Sequence, residues 1–135
     1  MTRKSFLSLV SLVALAVGVL ALAFPHALLE SKGVAADAAT QIWVRQTGLL
    51  ILSTGFTTYL VRADPDSSTL RSLLLSNALL QLGILPIELS AYLAGTIPRL
   101  DGVLPNSIFH GFAGVGFAFF ALRTKAGVAV RNLAG

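Results

Sequence analysis

Long apolar runs alternate with short polar breaks along this chain. Four of the runs approach the roughly 20 mostly apolar residues that a membrane-spanning helix needs. In chain order they cover residues 6–24, about 42–61, about 70–94 and about 103–122. The breaks at 64–68 and 95–102 carry the Pro, Gly, Asp and Ser residues that start and stop helices. The pattern predicts one all-α membrane domain over residues 1–135, folded as a four-helix transmembrane bundle with antiparallel neighbours.

The composition favours lipid as the solvent of this fold. The chain is 55% hydrophobic and 12% charged, whereas a soluble domain carries about 25% charged residues. A small soluble fold leaves much of its surface in water, so it could not hide this much apolar surface. With no cysteine, the chain has no disulfides, thiolate metal sites or cysteine nucleophiles. The net charge of +4 forms no basic stripe, so the bilayer and not nucleic acid is the predicted partner.

The first apolar run also has features of a cleaved signal peptide. Arg3 and Lys4 precede it, and residues 21–23 (Ala-Leu-Ala) resemble a signal-peptidase site. The run is longer than the 7–15 apolar residues of a typical signal. We therefore expect a retained helix.

The placement of lysine and arginine predicts an orientation, because cytoplasmic loops carry the excess of these residues. The N-terminus, the second loop and the C-terminal tail carry Arg3, Lys4, Arg62, Arg71, Arg123, Lys125 and Arg131. The opposite side carries Lys32, Arg45 and Arg99. The count predicts that both termini are cytoplasmic (N-in, C-in).

The third run is unusual because it contains an ionisable residue. At 100° per residue, Asn77, Gln81 and Glu88 fall on one stripe of the helix. Lipid would penalise such a stripe, so it should face the interior of the bundle. Pro86 has no N–H and frees the carbonyl of Leu82, which leaves an extra acceptor near Glu88.

The predicted topology brings polar residues of the other runs to the depth of Glu88. Arg45 begins the second run, and Asn106 and His110 share a face of the fourth. With Gln81 and Glu88 they form the candidate ligand-binding set. Three interpretations stay open. The set is structural, with Arg45 and Glu88 as an ion pair; it is a pocket for a headgroup, quinone or other amphiphile; or Glu88 and His110 transfer protons. No catalytic set and no metal-ligand set is predicted, and a cofactor stays unknown.

Glycine marks the faces predicted to pack helices. Gly48 and Gly55 lie seven residues apart on the second run, and Gly111 and Gly114 lie on the fourth. Small residues let helices approach closely, within one chain or between chains. These glycines therefore predict either internal packing or a partner interface.

The order of motifs resembles a known membrane family. An apolar helix ends in Phe24-Pro25-His26, and a second begins Arg45-x-x-Gly48 with Gly55 seven residues on. This arrangement resembles the DoxX-like group of small four-helix bacterial integral membrane proteins. The resemblance implies their architecture and a multi-pass place in the bacterial cytoplasmic (inner) membrane, with Arg45 and Gly48 as motif positions. It implies no substrate.

Our leading functional hypothesis is a small non-catalytic integral membrane protein. It would act as an accessory or structural subunit that packs in a larger membrane complex or against itself. The alternative is a binder of an amphiphilic small molecule, such as a lipid or quinone. That molecule would occupy an outer-leaflet polar pocket formed by Arg45, Glu88, Asn106 and His110.

Overall fold

The computed structural model describes residues 1–125, and every regular element within them is helical. The α-helices are α1 (Arg3–Ala23), α2 (Pro25–Ser31), α3 (Ala38–Leu60), α4 (Ser68–Leu93) and α5 (Leu100–Arg123). A 3₁₀ turn over Val61–Ala63 extends α3. Each of the four predicted apolar segments overlaps one long helix. Arg131, part of the charge count, and the end of the predicted domain lie outside the described residues.

The predicted four-helix transmembrane bundle is wrong. Residues 1–125 form five α-helices, of which three, α1, α4 and α5, are long and apolar enough to cross a membrane. α3 is of similar length, but Gln41, Arg45 and Gln46 interrupt its apolar character. The predicted N-in, C-in orientation rests on four membrane crossings, and three candidate spans do not support four crossings. Three helices that are long and apolar enough to cross a membrane indicate a membrane protein.

α2 is the helix that the apolar pattern did not predict. Phe24 leaves the helical region with φ −129° and ψ 52°, which ends α1. Pro25 then takes the first helical position, where its missing N–H costs no hydrogen bond. Gly33 follows α2 with a φ of +73°, a conformation that glycine adopts freely. The chain therefore turns within a few residues and enters α3.

Side-chain caps fix the starts of three long helices. Thr2, Asp37 and Ser67 each accept a hydrogen bond from the backbone N–H three residues later, at 3.1, 2.7 and 3.1 Å. These hydrogen bonds satisfy donors that a helix start leaves unpaired. The start predicted within 64–68 thus falls at Ser67, which caps α4.

Close backbone approach joins α1 to α3. A Cβ built on Gly48 would lie 2.9 Å from Ala21 Cβ, and one on Gly55 would lie 2.9 Å from Ala14 Cβ. Gly18 of α1 approaches α3 in the same way. Only residues without a side chain fit at these positions, so the glycines hold two helices of the same chain together.

The second helix pair, α4 and α5, packs against α1 in a core near one end of the molecule. Its buried members are Phe6, Leu7 and Val10 of α1, Leu70, Leu74 and Ala78 of α4, and Ala113, Phe117 and Ala121 of α5. The rings of Phe6 and Phe117 meet edge to face with their centroids 5.2 Å apart. This core is therefore built from the starts of α1 and α4 and the last half of α5.

Polar contacts join three parts of the chain at this end, which we call the Asp66 end. Arg3 forms an ion pair with Asp66, and its Nη2 donates to the backbone oxygen of Asp64 at 2.6 Å. The backbone N–H of Lys125 donates to Asp66 Oδ2 at 3.1 Å. The Lys125 amide and the Arg3 guanidinium hold the pKa of Asp66 below its ordinary value. α1 and α4 therefore begin, and α5 ends, at the Asp66 end.

The opposite end is joined by the segment after α2. Lys32 Nζ donates to the backbone oxygen of Gly102 at 3.1 Å. A Cβ built on Gly102 would lie 2.8 Å from Lys32 Cα, so the backbones touch. The start of α5 therefore rests on the chain that leaves α2.

Candidate functional site

Glu88 is the centre of a polar contact between α4 and α5. Its side chain lies in α4 and only 8% of the residue surface is exposed. One carboxylate oxygen accepts a hydrogen bond from Asn106 Nδ2, and the other accepts one from Ser107 Oγ at 2.6 Å. Both oxygens are therefore used by α5. This arrangement offsets the cost of a carboxylate in an apolar helix and fixes how the two helices meet.

A second contact extends this line of polar groups. His110 Nδ1 hydrogen-bonds Gln81 Oε1, and because a carbonyl oxygen only accepts, the ring nitrogen donates. Gln81 lies seven residues before Glu88 on α4, and His110 lies three residues after Ser107 on α5. The two hydrogen-bonded groups thus lie along one interface between antiparallel helices. We call the five residues Gln81, Glu88, Asn106, Ser107 and His110 the polar seam.

Four of the five predicted ligand-binding residues belong to this seam, and Arg45 does not. Arg45 is exposed on α3, a helix whose buried glycines face α1. Within residues 1–125 the ion pairs are Arg3–Asp66, His26–Glu30 and Arg99–Asp101. The predicted ion pair between Arg45 and Glu88 does not form, because α3 packs on α1 and not on the seam.

Ser107 is the seam residue that the sequence did not assign to the site. It lies directly after Asn106, and on a helix two adjacent residues can reach the two oxygens of one carboxylate on a facing helix. The signal for it was the pair of short polar side chains in an apolar run.

The third polar residue of the predicted stripe, Asn77, faces a different place. It lines a cleft of about 230 Å³ between α3 and α4, with Ser53, Thr54 and Thr57 on the opposite wall. Asn77 is 8% exposed, and its Nδ2 donates to the backbone oxygen of Leu73 at 3.0 Å. Its Oδ1 has no hydrogen-bond partner among the described residues. The sequence did not predict this cleft, and Asn77 Oδ1, which is itself buried, has no partner beside it within residues 1–125.

A smaller internal cavity lies beside the cleft. Its volume is about 20 Å³, which is room for roughly one water molecule. Its polar lining comes from Ser11, Thr54, Thr58, Asn77 and Gln81. Asn77 borders both spaces, and Gln81 connects the internal cavity with the polar seam. Neither space is lined by Arg45, Glu88, Asn106 or His110, the predicted pocket.

The predicted packing glycines have different surroundings in the structure. Gly48 and Gly55 touch α1, and a Cβ on Gly114 would lie 2.6 Å from Leu82 of α4. A Cβ on Gly111 would meet nothing within 4 Å. Three of these glycines therefore lie at helix contacts within the chain, and the fourth borders open space.

Comparison with known proteins gives a family. The model of a family described as a domain of unknown function (DUF8292) matches residues 2–122. No curated protein and no solved structure matches the chain. The resemblance to DoxX-like proteins stays a prediction. Since the family model covers nearly the whole length of α1 to α5, the chain belongs to the DUF8292 family.

Proposed function

We propose that this chain is a small non-catalytic integral membrane protein that serves as an accessory or structural subunit. Its outer apolar surface packs against other membrane subunits or against a second copy of the chain. We place it, as part of the same proposal, in the bacterial cytoplasmic membrane as a multi-pass protein. The observation that carries the proposal is the contrast between a polar seam bonded inside the chain and an apolar outside.

The outward faces of the candidate spans are large and apolar. The buried share of the apolar window is 33% in α1 and 22% in each of α4 and α5. Leu79, Leu93 and Leu122 are exposed by 76%, 75% and 76%. An isolated chain thus leaves most of each span for lipid or for another protein to cover.

The hydrogen bonds of the polar seam support a structural role for the chain. Glu88 uses both oxygens on α5, and the hydrogen bond of His110 goes to α4. These bonds tie α4 to α5 and turn costly groups away from the outer surface. A rigid helix pair with an apolar exterior is what a packing subunit requires.

Site-specific photo-crosslinking in native membranes tests the proposal. A photoreactive amino acid at Leu79 or Leu122 should give protein adducts of defined mass. The same residue at Leu74, which is 0% exposed, is the matched control and should give none to other chains. If both outward positions yield lipid adducts alone, the proposal fails.

A further inference from the structure

The charges of the chain are divided unequally between its two ends. Within residues 1–125 the Asp66 end has more cations than carboxylates, whereas the opposite end has equal numbers of both. The Asp66 end carries Arg3, Lys4, Arg62, Arg71, Arg123 and Lys125 with Asp64 and Asp66. The opposite end carries Lys32, Arg45 and Arg99 with Glu30, Asp37 and Asp101. Net positive charge therefore directs an anion to the Asp66 end.

The arginines of the two ends also differ in their partners. At the opposite end, Arg99 donates through Nε and Nη2 to the two carboxylate oxygens of Asp101, at 3.1 and 2.6 Å. At the Asp66 end, Arg62 and Arg123 form no ion pair with any of the described residues. The charge of Arg99 is thus neutralised inside the chain, and the charges of Arg62 and Arg123 are not.

Both of these arginines lie on aromatic rings. The guanidinium carbon of Arg62 is 3.6 Å from the centre of the Tyr59 ring, and that of Arg123 is 4.2 Å from the centre of the Phe119 ring. Tyr59 is 42% exposed and Phe119 is 44% exposed, so the stacked groups lie on the outer surface near the ends of α3 and α5. Stacking uses the flat face of a guanidinium and leaves its N–H edge for hydrogen bonds.

These N–H edges are mostly unused. Arg62 Nη1 donates to the backbone oxygen of Tyr59 at 2.6 Å, which occupies one of its five donors. The Arg123 side chain makes no hydrogen bond within residues 1–125, where it stacks on Phe119. The planar edge of a guanidinium matches two oxygens of a phosphate. Both edges therefore fit a phosphate group that comes from outside the chain.

We infer that the Asp66 end binds anionic phospholipid, with the stacked guanidinium groups of Arg62 and Arg123 donating to its phosphate oxygens. Arginine and aromatic side chains at the ends of membrane helices lie at the level of the lipid headgroups. Phosphatidylcholine has the same phosphate but adds a quaternary ammonium, which the net positive end repels. Phosphatidylglycerol has a net negative charge and avoids that repulsion. This inference does not depend on the proposed role as a subunit.

Lipid titration of the full chain in detergent, followed by native mass spectrometry, tests the inference. The probes are phosphatidylglycerol and phosphatidylcholine with identical oleoyl chains. The dissociation constant of the first bound lipid should be lower for phosphatidylglycerol. Arg62→Gln and Arg123→Gln should each raise that constant by roughly 5-fold, the factor of one cation near a membrane surface.

Arg99→Gln is the matched control, because this arginine is already bonded to Asp101 at the opposite end. It should leave the dissociation constant for phosphatidylglycerol unchanged. Circular dichroism shows whether each variant keeps its helices, and either arginine variant decides the question if the other does not fold. Equal binding of the two lipids by the unaltered chain overturns the inference. So does phosphatidylglycerol binding that a folded Arg62→Gln or Arg123→Gln weakens no more than Arg99→Gln does.

Discussion

Glu88 ties α4 to α5, because Asn106 and Ser107 of α5 each donate a hydrogen bond to one of its carboxylate oxygens. Its place on the stripe with Asn77 and Gln81 predicts an inward direction, and Asn77 and Glu88 are buried as expected. The partners could not be predicted in the same way. Whether Glu88 meets Arg45 of α3 or residues of α5 depends on how whole helices pair, which periodicity along one helix does not contain.

The first prediction concerns the bonds that Glu88 makes. Glu88→Ala leaves Asn106 and Ser107 unpaired in an apolar interface and should lower the free energy of unfolding by about 1–3 kcal/mol. Glu88→Gln should cost less, because its amide can accept from Asn106 and donate to Ser107. Equilibrium unfolding in mixed detergent micelles, followed by circular dichroism, measures both.

Ser90→Ala is the control for these variants. Ser90 lies two residues along α4, is exposed, and donates only to the backbone oxygen of Ile87 in its own helix. If Glu88→Ala is no more destabilising than Ser90→Ala, the polar seam does not hold α4 to α5.

At the scale of the elements, the apolar runs carry most of the information. Each run is long enough to form a helix of five or more turns, so the four long helices overlap the predicted segments. The sequence did not predict α2, because α2 has only seven residues and because Pro25 indicates a break in a helix. The prediction that α3 crosses the membrane was wrong, because polar residues recur among its apolar ones. The sequence argument located helices by their length and by the breaks between them, and it gave no weight to those polar residues.

The second prediction compares two glycines on different helices. A Cβ on Gly48 would lie 2.9 Å from Ala21 Cβ and 3.0 Å from the backbone oxygen of Gly18. Gly48→Ala should therefore push α1 away from α3 and lower the free energy of unfolding by about 1–3 kcal/mol. The same unfolding titration measures the change.

Gly111→Ala is its matched control, because a Cβ there meets nothing within 4 Å. It should be neutral or raise the free energy of unfolding by about 0.5–1 kcal/mol, since alanine favours helix more than glycine does. Equal losses for Gly48→Ala and Gly111→Ala would contradict the close contact between α1 and α3.

The pairing of helices decides how much of the site the sequence could foresee. α1 pairs with α3 through glycines, and α4 pairs with α5 through the polar seam. Gln81, Glu88, Asn106 and His110 come together because they lie on α4 and α5, and Arg45 stays apart because it lies on α3. The cleft at Asn77 forms only where the two helix pairs face each other, so no single segment of the sequence predicts it.

The central claim concerns the whole molecule: an apolar exterior that other protein chains cover. Native mass spectrometry of the protein, released gently from its own membrane, tests this claim most directly. We predict a complex of fixed stoichiometry that contains this 14.1 kDa chain with a second copy or with other subunits. A single chain that carries lipids and no other protein would contradict the account.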